Sequence, residues 1–151
     1  RGDRVDPGAR GRHVGSASPV RTRARLWKRL QRWTLGPEIA LPEGLARDLL
    51  PPAVSVRAGR WIPVIGGVLG RMRGPAAAVT LRRTIVVHPG ARLTRRLLRH
   101  ELAHVRQWEE DPLFPLRYTA ETLRRGYTEN RYEREARSAE TAASFTPEHL
   151  A

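Results

Sequence analysis

The chain has 151 residues and no cysteine, and its 28 Lys and Arg against 15 Asp and Glu give a formal charge of +13. That length fits one domain with a real core and is too short for two. Disulfides and thiolate metal sites are excluded, so any metal must sit on His, Asp or Glu. No window of about 18 apolar residues exists, which excludes a membrane-spanning helix.

The charge alone would point to nucleic acid or an anionic membrane. However, Lys28 is the only lysine and the arginines run along the whole chain, which marks a compositional bias rather than a built patch. The sequence does not begin with Met, which fits a fragment or a processed form. The compartment is left open, with the cytoplasm as the default.

Residues 1–22 mix Gly, Pro, Ser and Arg with few apolar side chains, a composition expected to stay a disordered basic tail. Residues 23–40 form a second unit, an amphipathic helix and linker. Within it, Leu26, Trp27, Leu30 and Trp33 share a helical face opposite Arg25, Lys28, Arg29 and Arg32. Docking on the core is the expected use of that face, and an anionic partner is the alternative.

The domain proper spans residues 41–151. Pro42 to Leu50 reads as a short helix stopped by Pro51-Pro52. Val54 and Val56 alternate with polar neighbours as a strand does, and Val79 to Leu81 and Thr84 to Val87 read as a hairpin around Arg82-Arg83. Neither arginine suits a turn that needs positive φ. Trp61 to Pro75, with several glycines and two prolines, reads as a loop or an irregular strand. Thr94 caps a helix from Arg95 to about Glu110, ended by Asp111-Pro112. Two further helices follow, from Pro115 to Arg125, terminated by Gly126, and from about Glu129 to Ala143.

The chemistry lies in His100-Glu101-Leu102-Ala103-His104, an HExxH motif inside the Arg95 helix. The four-residue spacing puts both imidazoles on one face, where a single tetrahedral metal can take both. Glu101 stands where its carboxylate can accept a proton from a water at that metal. Composition alone yields about 0.01 such matches by chance. Leu98, Leu102 and Val105 form the apolar stripe that would seat this helix. Zinc suits two imidazoles and a carboxylate best.

A catalytic metal needs a third protein ligand, and downstream lies Asn130-Arg131-Tyr132-Glu133-Arg134-Glu135-Ala136-Arg137. Here the sequence resembles the gluzincin metallopeptidases, in which a later helix bears a ligating glutamate with a small residue three positions on. The resemblance implies that Glu133 is the ligand and Ala136 the small residue; Glu135 is the competing candidate, in a different helical direction. More narrowly, Arg92 to Ala136 with Thr84 to Val87 before it looks like the small bacterial eCIS core domain. That likeness implies an α+β, minimal zincin-like domain: a small antiparallel sheet packed on the HExxH helix and a Glu-bearing helix, here with an extra N-terminal helix. By resemblance, Thr84 to Val87 would be the edge along which an extended peptide adds.

The chain departs from the gluzincin pattern at Arg137, where many members carry an Asp that supports a metal-binding histidine. Glu129 or Glu140 could take that role from nearly the same face as Glu133. Tyr118 and Tyr127 are the phenols available to an oxyanion, and His88 reads as a strand-end residue rather than a ligand. The expected function is a zinc-dependent metallopeptidase acting on a peptide or protein substrate, with His100, His104 and Glu133 on the metal and Glu101 as general base. The alternative is a catalytically silent zinc-binding scaffold that engages an anionic partner through its arginines.

Overall fold

A computed structural model describes Arg29 and residues 31–141. The expected tail over residues 1–22 and most of the amphipathic segment before Trp33 lie outside the described residues. Residues 31–35 are helical, and Trp33 stands 83 % exposed rather than docked on the core.

The domain is α+β. Its elements are α1 (Glu43–Leu49), β1 (Ser55–Ala58), α2 (Trp61–Leu69), β2 (Ala78–Leu81), β3 (Thr84–Val87), α3 (Arg95–Glu110), α4 (Phe114–Glu129) and α5 (Arg131–Thr141). No helix among the described residues is long and apolar enough to cross a membrane.

The β2–β3 hairpin forms as expected, antiparallel with Val79 opposite Val86 and Thr80 opposite Ile85. Its turn solves the missing glycine by holding Arg82 at φ 54°, a left-handed conformation that costs a side-chain-bearing residue about 1 kcal/mol. Two expectations are corrected. The sheet is mixed, because β1 joins β3 in parallel, with Val56 opposite Ile85. The strand order is β1-β3-β2, so Thr84–Val87 is the central strand and cannot receive a peptide; among the described residues the free edge nearest α3 belongs to β2. The cause is burial: Ile85, Val86 and Val87 are all buried, as befits a strand covered on both faces.

A third correction concerns Trp61 to Pro75, whose first nine residues are the helix α2 and not a loop. Pro63 falls in its first turn, where a missing N–H costs no hydrogen bond. The two glycines within it are used for close packing, taken up below.

Helix α3 carries Leu98, Leu102 and Val105 into a core shared with Leu49, Val54, Val56, Ile85 and Val87. Thr94 Oγ1 accepts from the Leu97 N–H at 3.1 Å, the expected N-cap. Helix α5 lies against α3 through Ala136, which is fully buried, and a small side chain there lets the two backbones close.

The α4–α5 junction depends on two residues. Gly126 takes φ 80°, ψ 166° inside the run assigned to α4, a conformation open in practice only to glycine. Buried Asn130 satisfies both helices: its Oδ1 accepts from the Tyr132 N–H at 2.9 Å, and its Nδ2 donates to the Tyr118 carbonyl at 3.1 Å and to Thr122 Oγ1 at 2.8 Å.

Two stability changes follow, measurable by denaturant unfolding. Arg82→Gly is expected to stabilise the domain by about 0.5–1 kcal/mol by removing the left-handed penalty. Leu102→Ala is expected to cost about 2–5 kcal/mol through lost burial and a residual cavity.

Candidate metal centre

The α3 face that carries the motif and the first turns of α5 meet at three side chains. His100, His104 and Glu133 are all buried, and one potential ligand atom from each lies within 4.8 Å of the other two. His100 Nε2 is 3.4 Å from Glu133 Oε2, and His104 Nε2 is 3.3 Å from Glu133 Oε1. Both imidazoles thus turn the same nitrogen toward one carboxylate. Glu133 Oε2 is buried with no hydrogen-bond partner, a costly state for a carboxylate oxygen unless a cation or a proton answers it.

What holds the imidazoles can be read from their other nitrogens. His100 Nδ1 lies 3.0 Å from Glu140 Oε1, and a carboxylate can only accept, so Nδ1 carries the proton and Nε2 keeps its lone pair. His104 Nδ1 lies 2.8 Å from Gln107 Oε1. The Gln107 amide is fixed because its Nε2 donates to the Tyr132 carbonyl at 3.1 Å and to Glu135 at 3.0 Å. Its oxygen must therefore accept from His104, which again leaves Nε2 free.

Between the two second-layer carboxylates expected from sequence, the structure selects Glu140. Glu129 is exposed. Arg137 donates to the Thr128 carbonyl, and Glu140 is the carboxylate that reaches His100. Glu135 is not brought to the cluster: it is exposed and paired with Arg106. His88 ends β3 and accepts from the Gly90 N–H in a turn, as expected of a strand-end residue.

Glu101 is buried beside the cluster, its Oε2 accepting from Thr80 Oγ1 at 2.7 Å. Thr80 belongs to edge strand β2, and its carbonyl accepts from Trp108 Nε1 at 3.1 Å, so α3 is tied to the strand at the general-base candidate. Tyr118 donates its hydroxyl to Glu133 Oε1 at 2.7 Å, and Tyr127 lines the same cavity as Glu133. A cavity of about 210 Å³ opens over these groups, walled by β2, α2 and α4.

The electrostatics follow from one buried carboxylate. Burial would lift Glu133, but the close approach of His100 and His104, the positive charge of a protonated His104 and the Tyr118 hydroxyl outweigh it and hold the group well below the usual carboxylate range. Burial would lower His104, yet the bond to Glu133 and the charges of Glu101 and Glu133 win, and its pKa is raised above 6.5. A proton on imidazole there takes the place of a cation. Burial, followed by the charge of Glu133, pushes both Tyr118 and Tyr127 far above the ordinary phenol range, so each keeps its proton and can act only as a donor toward an anion.

Sequence reasoning named His100, Glu101, His104 and Glu133, and these do converge. It missed Gln107, Thr80 and the role of Tyr118 at Glu133. Gln107, one turn after His104, was detectable from helix spacing; Thr80 was not, since its contact spans 21 residues of chain.

Two outcomes test the arrangement. Gln107→Leu or Glu140→Leu should weaken binding of a divalent metal by about 10- to 100-fold, measured by competition with a chelator, because each removes the acceptor that fixes an imidazole. Metal must also displace the proton that His104 holds more tightly than usual. Affinity should therefore fall by about tenfold per pH unit, for each proton displaced, once the pH drops below the raised His104 pKa. In the metal-free protein the sign reverses for His104. Its protonation stabilises the fold at low pH and that contribution is lost as the pH rises through its folded pKa, whereas the contribution of Glu133 is lost progressively as the pH falls from the ordinary carboxylate range into strong acid.

Residues 71–112 match the family model of the eCIS core domain, a domain associated with a zincin-like fold. The matched stretch holds the hairpin, His100, Glu101 and His104, and ends before Glu133. No curated protein and no solved structure matches the chain.

Proposed function

We propose that this chain is a zinc-dependent peptidase of the gluzincin type, with His100, His104 and Glu133 as ligands and Glu101 as general base. The observation that carries the reading is the convergence of three ligand atoms within 4.8 Å on the wall of a cavity that Glu101 also lines. Two imidazoles presenting free Nε2 lone pairs and one ionised carboxylate suit zinc, and the orphaned Glu133 Oε2 is the atom a cation would satisfy. When bound, zinc would supply Lewis acidity, polarising a carbonyl and acidifying water.

The residues of the chain would do the rest. Glu101 takes the proton of the attacking water and returns it to the leaving amine. Thr80 holds Glu101 Oε2 and leaves Oε1 to handle that proton. Tyr118 and Tyr127 line the cavity and keep their protons, and either would be a donor to negative charge that develops on the carbonyl oxygen, Tyr118 only by turning from Glu133. An extended substrate would run along the free edge of β2, whose Ala78, Val79 and Thr80 line the cavity. Because the Thr80 carbonyl already accepts from Trp108, the substrate backbone would have to find its partners elsewhere on the strand.

The test is hydrolysis of a fluorogenic peptide mixture by wild type and by Glu101→Gln, with zinc measured in both. The reading predicts equal zinc and a rate lower by about 10² to 10⁴ in the variant. Equal rates in the two proteins would remove Glu101 from the chemistry, and zinc-loaded wild type without hydrolysis across the mixture would turn the domain into a silent metal scaffold.

A further inference from the structure

Helix α2 is packed inside out. A Cβ on Gly66 would lie 2.5 Å from Val79 Cγ2, and one on Gly67 would lie 2.2 Å from the Gly74 carbonyl oxygen. Its glycines therefore face the protein and draw the helix tightly onto β2 and the segment after it, while four of its large side chains face outward. Trp61 is 69 % exposed, Ile65 52 %, Val68 71 % and Leu69 60 %, and Met72 just beyond the helix is 39 % exposed. Spacings of four, three and one place the first four on one side of the helix. A helix on water normally does the reverse. Five contiguous large apolar side chains make a patch on the order of a few hundred Å², a size that marks an interaction surface.

The charge around this face is one-sided. From residue 49 to residue 100 the sequence has ten arginines and no Asp or Glu. Arg57, Arg83, Arg95 and Arg96 reach carboxylates from other parts of the chain. Arg60, directly before α2, and Arg71 and Arg73, directly after it, are exposed and enter none of the ion pairs formed among the described residues.

We propose that the outer face of α2, rimmed by Arg60, Arg71 and Arg73, docks the domain on an anionic phospholipid surface. The exposed side chains of this face, Trp61, Ile65, Val68 and Leu69, are large and apolar, so the face suits a medium that asks only for apolar depth. Trp61 at its end has the amphipathic ring favoured at headgroup level, and the three arginines match anionic headgroups. At 1.5 Å per residue the helix is about 14 Å long, so it lies in the interface and does not cross it. Leu69 and Met72 also line the cavity, so docking brings the cavity to the lipid surface. Neither metal nor hydrolysis is required for the docking itself.

The test uses the full chain and vesicle co-sedimentation, with vesicles of phosphatidylcholine alone and of phosphatidylcholine mixed with phosphatidylserine. Wild type should bind the mixed vesicles, weakly or not at all the neutral ones, and less as salt is raised. Ile65→Ser/Val68→Ser should weaken binding by about tenfold or more, and Arg71→Gln/Arg73→Gln should also weaken it by about tenfold or more. All four side chains are exposed, so the melting temperature should hold. Brominated lipid adds a readout in unsubstituted protein: part of the tryptophan fluorescence should be quenched, and that part should vanish in Trp61→Phe. Absence of binding to the mixed vesicles, or wild-type affinity in either double variant, would overturn the proposal. So would loss of self-association in Ile65→Ser/Val68→Ser with no lipid binding in wild type, since the face would then meet protein.

Discussion

A carboxylate buried between two imidazoles is the constraint on which this domain depends. Glu133 is 2 % exposed, and an ion placed there costs several kcal/mol unless positive charge and hydrogen bonds answer it. The answer comes from two other helices at once: His100 and His104 on α3, and Tyr118 on α4. Bringing them together demands close α3–α5 contact, which Ala136 allows. It also demands a sharp α4–α5 turn, which Gly126 and Asn130 provide. The site is therefore a condition on the fold as well as a passenger in it.

The partners around the imidazoles extend that condition outward. Glu140 and Gln107 each accept from an Nδ1 proton and leave Nε2 free toward the same point. Glu140 also pairs with Arg96 of α3, and Gln107 reaches across to the Tyr132 carbonyl of α5. The hydrogen bonds that fix the tautomers are thus the same ones that staple α3 to α5. On the opposite side, Thr80 and Trp108 tie Glu101 and α3 to β2, so the base candidate is held at the free strand edge.

Much of this was legible in the residues, and the rest was hidden for physical reasons. The HExxH spacing needs only helical geometry, so His100, Glu101 and His104 could be placed on α3 with no tertiary knowledge, and Thr94 and Asp111-Pro112 bounded that helix. The convergence of Glu133 depends on the α4–α5 turn, and only family likeness pointed to it. Strand order was misjudged although a signal was present: Thr84 to Val87 ends in the apolar, β-branched run Ile85-Val86-Val87 suited to burial on both faces, whereas the alternating burial of Ala78 to Leu81 appears only in the fold. Helix α2 was missed because Pro63 and the Gly66-Gly67 pair normally break helices; here the proline sits in the first turn and the glycines serve contact with Val79 and Gly74. Arg82 shows the converse, a positive φ accepted by a residue that local chemistry argues against.

The central claim is that His100, His104 and Glu133 close around one metal ion. Zinc stoichiometry by elemental mass spectrometry on purified wild type and Glu133→Ala tests it most directly. The account predicts about one zinc per chain in wild type and a loss of affinity of at least about 100-fold in the variant, beyond the effect of disturbing a supporting residue. Zinc absent from wild type after metal supplementation, or retained with unchanged affinity in Glu133→Ala, would contradict it.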